Sequence, residues 1–301
     1  MISFKKVELE DQEFFKKYMA KQPYRGCECT FTNLYLWSRF YNVQAAVAEE
    51  MLISKMETEE MLSFCFPMGD GRNVRAALEA LMTYSKEKGK PFRMHSVSKK
   101  QFEVLEELYP DRFQITYNRD YADYIYEAEK LANLSGKKYH GKKNHTNKFK
   151  KTYADWSYEP LHEGNLEECF QMALAWRCKN GCEEDEEKNA EMCVTLNALR
   201  LFKELGLKGG LIRADGQVVA FSIGEPVTED TFVVHIEKAF ADVPGAYPMI
   251  NQQFVLHEAQ GYTYINREED MGEEGLRKAK LSYHPVFLVE KGVVTEKEDM
   301  K

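Results

Sequence analysis

The pattern of apolar and polar positions predicts helices and strands in an order that occurs twice along the chain. In the first half, Phe14, Phe15, Tyr18 and Met19 have helical spacing, and a second apolar helix is predicted near FTNLYLWSRF. Three strands, a helix, a strand, a helix and a last strand follow, at VQAAV, MLISKM, MLSFCF, the stripe Val74–Met82, PFRMH, the stripe Phe102–Leu108 and RFQITY.

The second half repeats this order. Helical stripes begin at Leu166 and Val194, and three strands follow, the first two joined by an Ala–Asp–Gly hairpin turn. The loop DVPGAY leads to a helix from about Met249 to Gln260, and then to YTYIN, EEGLRKAKL and a final strand at VFLVEKG. This is the element order of the GNAT acyltransferase fold. We therefore expect an α/β chain with mixed sheets and two tandem GNAT acyltransferase-like domains, at residues 1–133 and 153–301, joined by a basic linking segment at 134–152.

Composition and charge narrow the class of protein. A chain of 301 residues with 44% hydrophobic and 30% charged residues has the size and balance of two globular domains. The net charge of −8 excludes nucleic-acid binding by bulk electrostatics, so a polyanion would need a local basic patch. The sequence shows neither a signal peptide nor a run of ~20 mostly apolar residues, which predicts a cytoplasmic protein with no transmembrane segment. Seven cysteines without framework or zinc spacing predict reduced thiols and no metal site.

The sharpest charge pattern is a basic run between the two halves. Seven lysines and two histidines, with no acidic residue, lie between Lys137 and Lys151, and the acidic run Glu183 to Glu187 follows further along. On a helix, Lys142, Lys143 and Lys148 could hold the phosphates of a tRNA acceptor end, a nucleotide or a lipid headgroup. The alternative is an exposed linker whose charges are solvated.

Two long runs resemble one known family. DYADYIYEAEKLANLSGKKYHGKKNHTNKFKK and YINREEDMGEEGLRKAKLSYHP are similar to segments of the phosphatidylglycerol lysyltransferase C-terminal domain family, and CTFTNLYLW is similar to its first-domain helix. The resemblance spans about residues 25–290. It implies two tandem GNAT domains and kinship with Fem-type ligases, which use aminoacyl-tRNA. Enzymes that aminoacylate phosphatidylglycerol carry a large membrane-embedded region, which is not found in this sequence, so the acceptor stays open among a small molecule, a peptide and a lipid headgroup.

Polar residues in a predicted core strand are the first candidates for chemistry. A GNAT domain splays its fourth and fifth strands, and the backbone exposed there receives the acyl donor. In TFVVHIEKA, His235 and Glu237 share one face and Lys238 lies on the other. His235 and Glu237 are suited to binding an amine or relaying a proton. The alternative is that this face is simply solvated.

The segment NREEDMGEEGLRKAK is the densest polar motif. Arg267 and Glu268 follow a strand, while Arg277 and Lys280 share a helix face that suits a phosphate or a carboxylate. The alternative is a salt-bridge network that ties strand to helix. Gly245, in DVPGAY, precedes a helix whose amino terminus could hold a phosphate. The loop lacks the basic residue typical of the acetyl-CoA enzymes of this fold, which favours aminoacyl-tRNA as donor over acyl-CoA.

These candidates support an acyl or aminoacyl transferase, most plausibly in the second domain. An amine or hydroxyl of the acceptor attacks an activated carbonyl directly, without a covalent enzyme intermediate. His235, Glu237 and Glu268 bind or deprotonate the nucleophile. The residues expected to bind phosphate or to stabilise developing charge are Lys238, Arg267, Arg277 and Lys280. The alternative is a non-catalytic ligand-binding or regulatory protein on the same scaffold. The sequence contains no P-loop, Rossmann fingerprint or nucleophile elbow.

Overall fold

The computed structural model describes residues 2–181 and 185–297. Cys182 and two residues of the acidic run, Glu183 and Glu184, lie outside the described residues. The chain divides into two compact units. The first holds the described residues within Met1–Asp123, Glu269–Glu274 and Leu288–Lys301, and the second holds those within Tyr124–Glu268 and Gly275–Phe287. The predicted boundaries at residues 133 and 152 therefore both fall inside the second unit, and the end of the chain belongs to the first.

Both units contain strands and helices. The described strands are β1 Lys5–Lys6, β2 Val43–Ala48, β3 Met51–Glu57, β4 Leu62–Phe64, β5 Arg93–Ser98, β6 Phe113–Tyr117, β7 Asp123–Glu127, β8 Ser157–Pro160, β9 Lys208–Ala214, β10 Gln217–Pro226, β11 Thr231–Ala239, β12 Tyr264–Asn266, β13 Phe287–Val289 and β14 Lys291–Glu296. The described α-helices are α1 Gln12–Met19, α2 Phe31–Trp37, α3 Val74–Glu87, α4 Lys99–Leu108, α5 Ala128–Asn133, α6 His140–Thr152, α7 Leu166–Lys179, α8 Glu186–Arg200, α9 Phe202–Leu205, α10 Ala246–Glu258 and α11 Glu274–Leu281.

The first unit is built on a sheet of seven described strands in the order β1-β2-β3-β4-β5-β14-β6. Its one described parallel pair, β4 with β5, meets at a single residue pair, Phe64 and Met94. The predicted stripe of α3 is confirmed, because Ala77, Leu78 and Leu81 are fully buried in the core below these strands. Strand β4 ends at Phe64, so its pairing with β5 stops there.

The second sheet has the order β13-β7-β12-β11-β10-β9-β8 among the described strands. The predicted final strand VFLVEKG is wrong in extent, because the structure divides this region into β13 and β14, and β14 pairs with β5 and β6 of the first sheet. Strand β7 did not emerge from the periodicity. Three successive residues, Tyr124, Ile125 and Tyr126, are fully buried. The sequence of β7 therefore lacks the alternation of apolar and polar residues that marks a half-exposed strand.

Strand β11 carries the predicted site and extends beyond its parallel neighbour. It pairs with β12 only from Thr231 to Val233, although it continues to Ala239. Strand β12 ends at Asn266, so the remaining length of β11 has no paired strand on that side among the described residues. His235 and Glu237 lie on this length.

The predicted basic linker is a helix in the second unit. Helix α6 buries Thr146 and Phe149 and packs against α10, while Lys143 and Lys148 are exposed. Gly245, the residue before α10, has φ 91°, and a Cβ added there would lie 2.7 Å from the carbonyl oxygen of His145. No helix among the residues that the structure describes is long and apolar enough to cross a membrane.

A glycine in β10 sets the spacing to β11. The register of the two strands shifts between Ile223 and Gly224, and a Cβ added at Gly224 would lie 2.2 Å from the carbonyl oxygen of Val233. Glu225 follows directly and belongs to the candidate site described below. Close approach of the two backbones therefore depends on the absence of a side chain at this position.

We expect Gly224→Ala to lower the free energy of unfolding by about 1–3 kcal/mol, because the methyl group meets backbone that cannot move without breaking the ladder. Urea denaturation checks this. Gly141→Ala is the matched control: it lies in α6 with no atom within 4 Å of the new Cβ, and helix propensity favours alanine by about 0.5–1 kcal/mol. Equal stability of the two variants would contradict the role of Gly224.

Candidate active site

His235 is held between two carboxylates just beyond the paired residues of β11 and β12. Its Nδ1 lies 2.7 Å from Oε1 of Glu268, and its Nε2 lies 3.2 Å from Oε1 of Glu225. Glu225 comes from β10 and Glu268 from the segment after β12. Glu268 adopts φ 56°, an unusual conformation for this residue type that aims its side chain back at the strand. Two of the predicted residues, His235 and Glu268, are therefore in direct contact.

Both imidazole nitrogens of His235 face acceptors, which fixes its protonation. Burial lowers its pKa, but hydrogen bonds with Glu225 and Glu268 outweigh that effect and raise the pKa to about 10. The ring is therefore an imidazolium at neutral pH, with both N–H groups donating. A protonated ring cannot accept a proton from a nucleophile. Of the two carboxylates in this trio, Glu268, which was predicted as a proton acceptor, has the more exposed side chain, 21% against 6% for Glu225.

Glu237 forms a second cluster two residues further along the same face of β11. Its Oε1 accepts a hydrogen bond from Nη2 of Arg267 at 2.8 Å, and its Oε2 accepts one from Nδ2 of Asn251 at 2.9 Å. Both charged side chains are nearly buried, at 11% and 12% exposure. The second guanidinium nitrogen, Nη1 of Arg267, is buried and donates to none of the described residues. A buried N–H group of this kind is costly unless a ligand accepts from it.

Two tyrosines form aromatic walls around Arg267. Its guanidinium lies 4.8 Å from the ring centre of Tyr283 and 5.7 Å from that of Tyr126. Nζ of Lys142 lies 4.0 Å from the centre of the Tyr283 ring. Burial and the neighbouring Arg267 lower the pKa of Lys142, against the opposing effect of Glu237. The cluster thus combines a carboxylate, two cations and two aromatic faces.

The other predicted residues have different surroundings and roles. Lys238 lies on the opposite face of β11, where it is bound by Glu191 and lies 4.0 Å from the Trp176 ring. Its charge is already paired. Nζ of Lys280 donates to the backbone carbonyl of Arg267 at 2.6 Å, so it supports the segment that carries Arg267. Arg277 is half-buried in α11.

Gly245 and the exposed lysines of α6 have other surroundings. The space beside Gly245 is filled by α6, through His145 and Phe149, so the glycine serves close packing of α6 on α10. Lys143 and Lys148 point to solvent on the outer side of α6, whereas Lys142 turns inward to Tyr283. The basic segment is therefore divided between a buried member and an exposed face.

Four members of the two clusters were missed from sequence: Tyr126, Asn251, Tyr283 and Glu225. Tyr126 and Tyr283 both fall inside the two runs that carry the family resemblance, which was the available signal. Asn251 is fully buried in the middle of α10, and Glu225 is a buried acid in a strand. A buried polar residue inside an apolar element is a general sign of a partner.

The first unit has a polar cluster of its own. Nζ of Lys291 lies 2.7 Å from Asp123 and 2.6 Å from Glu28, and it is 3.7 Å from Glu269. Sγ of Cys27 and one oxygen each of Asp123 and Glu269 lie within 4.8 Å of one another. The buried ammonium of Lys291 supplies the positive charge that these acidic groups require.

Comparison with known proteins identifies the class. The crystal structure of a GNAT-family acetyltransferase from Colwellia psychrerythraea has a TM-score of 0.51 over 99% of this chain and 100% of its own, at 11% identity. The C-terminal domain (DUF2156) of a putative lysylphosphatidylglycerol synthetase from Agrobacterium fabrum has a TM-score of 0.69 at 13% identity, covering 96% of this chain and 92% of its own. The predicted fold of two tandem GNAT-like domains is confirmed.

The family of the chain is shown by its match to a protein-family model. The family "Phosphatidylglycerol lysyltransferase, C-terminal" matches residues 20–294, and the chain belongs to it. A conserved protein of unknown function from Bacteroides thetaiotaomicron VPI-5482 is 40% identical, with a TM-score of 0.93 over 99% of this chain and 100% of its own. The match spans about half the length of the curated relative, a protein of Mycoplasmoides gallisepticum. Family and fold together indicate an acyl or aminoacyl transferase.

Proposed function

We propose that this chain transfers an aminoacyl group from aminoacyl-tRNA to an amine or hydroxyl of an acceptor. The observation that carries the proposal is the pair of adjacent clusters on β11: an acidic one around His235 and a cationic one around Arg267. An aminoacyl ester presents an ammonium group next to a carbonyl oxygen, and the two clusters offer a partner for each. A simple acyl group lacks the ammonium and uses only one of them.

The Arg267 cluster supports the carbonyl end of the donor. Nη1 of Arg267 is an N–H donor held in a dry aromatic setting, where a hydrogen bond to developing negative charge is strong. Asn251 holds Glu237, and Glu237 holds the guanidinium of Arg267, so the N–H group of Nη1 is held in position. We assign Arg267 to the oxyanion of the tetrahedral intermediate and Glu237 to the positioning of Arg267.

The His235 cluster supports the amine end. Two carboxylates face one imidazolium, which favours binding of an ammonium group beside Glu268. In the transfer, the acceptor nitrogen or oxygen bonds to the carbonyl carbon and its proton passes to Glu268. The ester bond to the ribose then breaks, and the released hydroxyl takes up that proton. No covalent enzyme intermediate is needed.

The outer face of α6 supports tRNA as the carrier. Lys143 and Lys148 are exposed on the helix that also places Lys142 against Tyr283, so phosphate contacts and the cluster share one element. The filled space beside Gly245 weakens the case for acyl-CoA, since α6 packs against the start of α10 there. Lysyl-tRNA with phosphatidylglycerol is the first pair to test, because the Agrobacterium neighbour is described as a putative lysylphosphatidylglycerol synthetase.

The test measures binding and transfer of radiolabelled lysyl-tRNA with phosphatidylglycerol vesicles, small amines and peptides as acceptors. We expect Lys143→Glu combined with Lys148→Glu to weaken tRNA binding by about tenfold or more at low salt and to reduce the slope of log affinity against log salt by about 2. Lys100→Glu with Lys99→Glu, an exposed pair on α4, is the matched control. Absence of protein-dependent transfer from a panel of aminoacyl-tRNAs, or equal loss of binding in the control, would overturn the proposal.

A further inference from the structure

The first unit carries a cysteine and a histidine at the position where the pairing of its own parallel strands ends. Phe64, the last residue of β4, forms with Met94 the single residue pair between β4 and β5, and Cys65 and His95 directly follow these two residues in the chain. Sγ of Cys65 lies 3.2 Å from Nε2 of His95. In the second sheet the corresponding place, just beyond the paired residues of β11 and β12, is occupied by His235 and Glu268.

A third residue, Ser63, orients the histidine. Nδ1 of His95 lies 2.9 Å from Oγ of Ser63, a fully buried residue of β4. When Nδ1 donates to that hydroxyl, Nε2 is free to accept from the thiol. Nucleophile, base and orienting group then stand in the order that nucleophilic catalysis requires.

Burial keeps this pair in its neutral form. Burial raises the pKa of Cys65 to about 11 and lowers that of His95 to about 4. The thiol therefore holds its proton until an electrophile arrives, and His95 is unprotonated and able to take it. This is general-base activation, as for a serine nucleophile, and differs from a resting thiolate.

Cys65 is the member of the pair that borders a recess. Cys65 lines a hollow of the first unit together with Tyr24, Cys29, Ser96, Gln101 and Lys291. Ser96, next to His95, has φ 53°, a strained conformation for a non-glycine residue in a strand. The register between β5 and β14 shifts beside it, from Gly292 opposite Val97 to Val294 opposite Met94. The backbone of β5 is therefore irregular beside His95, and Ser96 itself lines the recess.

We propose that this recess is a second reactive site, in which Cys65 accepts an acyl group from an activated ester or thioester. Sγ of Cys65 bonds to the carbonyl carbon while its proton passes to Nε2 of His95. The bond from that carbon to the leaving oxygen or sulfur breaks, and His95 returns the proton to the leaving group. The products are an acyl thioester on Cys65 and a free alcohol or thiol.

The experiment uses the full chain with three donors at neutral pH: p-nitrophenyl acetate, acetyl-coenzyme A and lysyl-tRNA. Intact-mass spectrometry and peptide mapping follow adducts at each cysteine. We expect a hydroxylamine-sensitive adduct at Cys65 that forms about a hundredfold more slowly in His95→Gln. Cys178→Ala removes an exposed thiol and leaves the adduct at Cys65 unchanged. The donor that reacts separates an oxygen ester from a thioester as the natural class.

An adduct rate at Cys65 no greater than that at Cys178, or one unchanged in His95→Gln, would overturn this proposal. Ser63→Ala provides a second test that retains the imidazole: it is expected to slow the adduct while leaving the melting temperature within a few degrees. The inference is independent of the aminoacyl transfer proposed for β11. Absence of lysyl transfer with the Cys65 adduct intact would contradict only the proposed function. Lysyl transfer without any adduct at Cys65 would contradict only the proposed second reactive site.

Discussion

Replacing Arg267 with methionine is expected to lower the free energy of unfolding by about 3–5 kcal/mol, the cost of leaving one member of a buried ion pair uncompensated. Glu237 is 12% exposed and its carboxylate has Arg267 and Asn251 as its hydrogen-bond partners. Without the guanidinium, the carboxylate keeps only the amide of Asn251. Methionine retains much of the volume between the rings of Tyr126 and Tyr283, so the loss reports charge and not a cavity.

A double-mutant cycle in urea checks this result. Glu237→Gln alone is expected to be costly for the same reason, whereas Arg267→Met with Glu237→Gln removes both charges and should recover much of the loss. Additive losses in the double variant would contradict a direct pairing. Arg213→Met offers a matched comparison, because its partners Glu159 and Glu168 are 34% and 50% exposed and an exposed pair contributes about 0–1 kcal/mol.

Arg267→Lys separates stability from chemistry. Lysine keeps the positive charge beside Glu237 but has no planar fork, so it cannot donate to Glu237 and to a substrate oxygen at once. We expect kcat for aminoacyl transfer to fall by about 10²–10³, the usual cost of losing one oxyanion donor. The stability loss should be smaller than in Arg267→Met. A variant that keeps full kcat would remove Arg267 from the chemical step and leave it as a structural partner of Glu237.

Local sequence patterns were sufficient to predict the part of the site that lies on β11 and on the segment that follows β12. His235 and Glu237 break the apolar alternation of β11, and Arg267 with Glu268 directly follows β12. Alternation fixes which side chains share a face, and two parallel neighbours bring these segments together. The contact of His235 with Glu268 was therefore within reach of the sequence.

The remaining members depend on contacts between distant segments. Tyr126 lies 141 positions before Arg267, on a strand whose full burial hides the period of two. The sequence also could not show that His235 would meet acceptors on both nitrogens, because Glu225 is placed by a register shift at Gly224. With Glu225 in this position, His235, which was predicted to accept a proton, is a protonated imidazolium. In the first unit, Cys65 and His95 are brought together by a parallel pairing of only one residue pair, which no local pattern records.

The protonated state of His235 predicts a loss of stability as the pH rises. Its pKa is about 10 in the folded chain, against an ordinary value of 6.5, so the native state binds a proton that the unfolded chain releases. The contribution is complete below pH 6.5 and declines as the pH rises to about 10. Its limiting slope is about 1.4 kcal/mol per pH unit for one proton, and solvent screening at Glu268, which is 21% exposed, narrows the pH range over which the slope applies.

Urea unfolding of the wild type and His235→Gln at several values between pH 6 and pH 10 isolates this term, because cysteines and tyrosines that titrate in the same range contribute to both proteins. We expect the stability advantage of the wild type to shrink steadily with rising pH. Glutamine can donate one hydrogen bond but carries no charge, so the variant should show a flatter curve. A stability advantage that is constant from pH 6 to pH 10 would mean that His235 is neutral. One of its ring nitrogens would then be an acceptor, and His235 could take the proton of the nucleophile in place of Glu268.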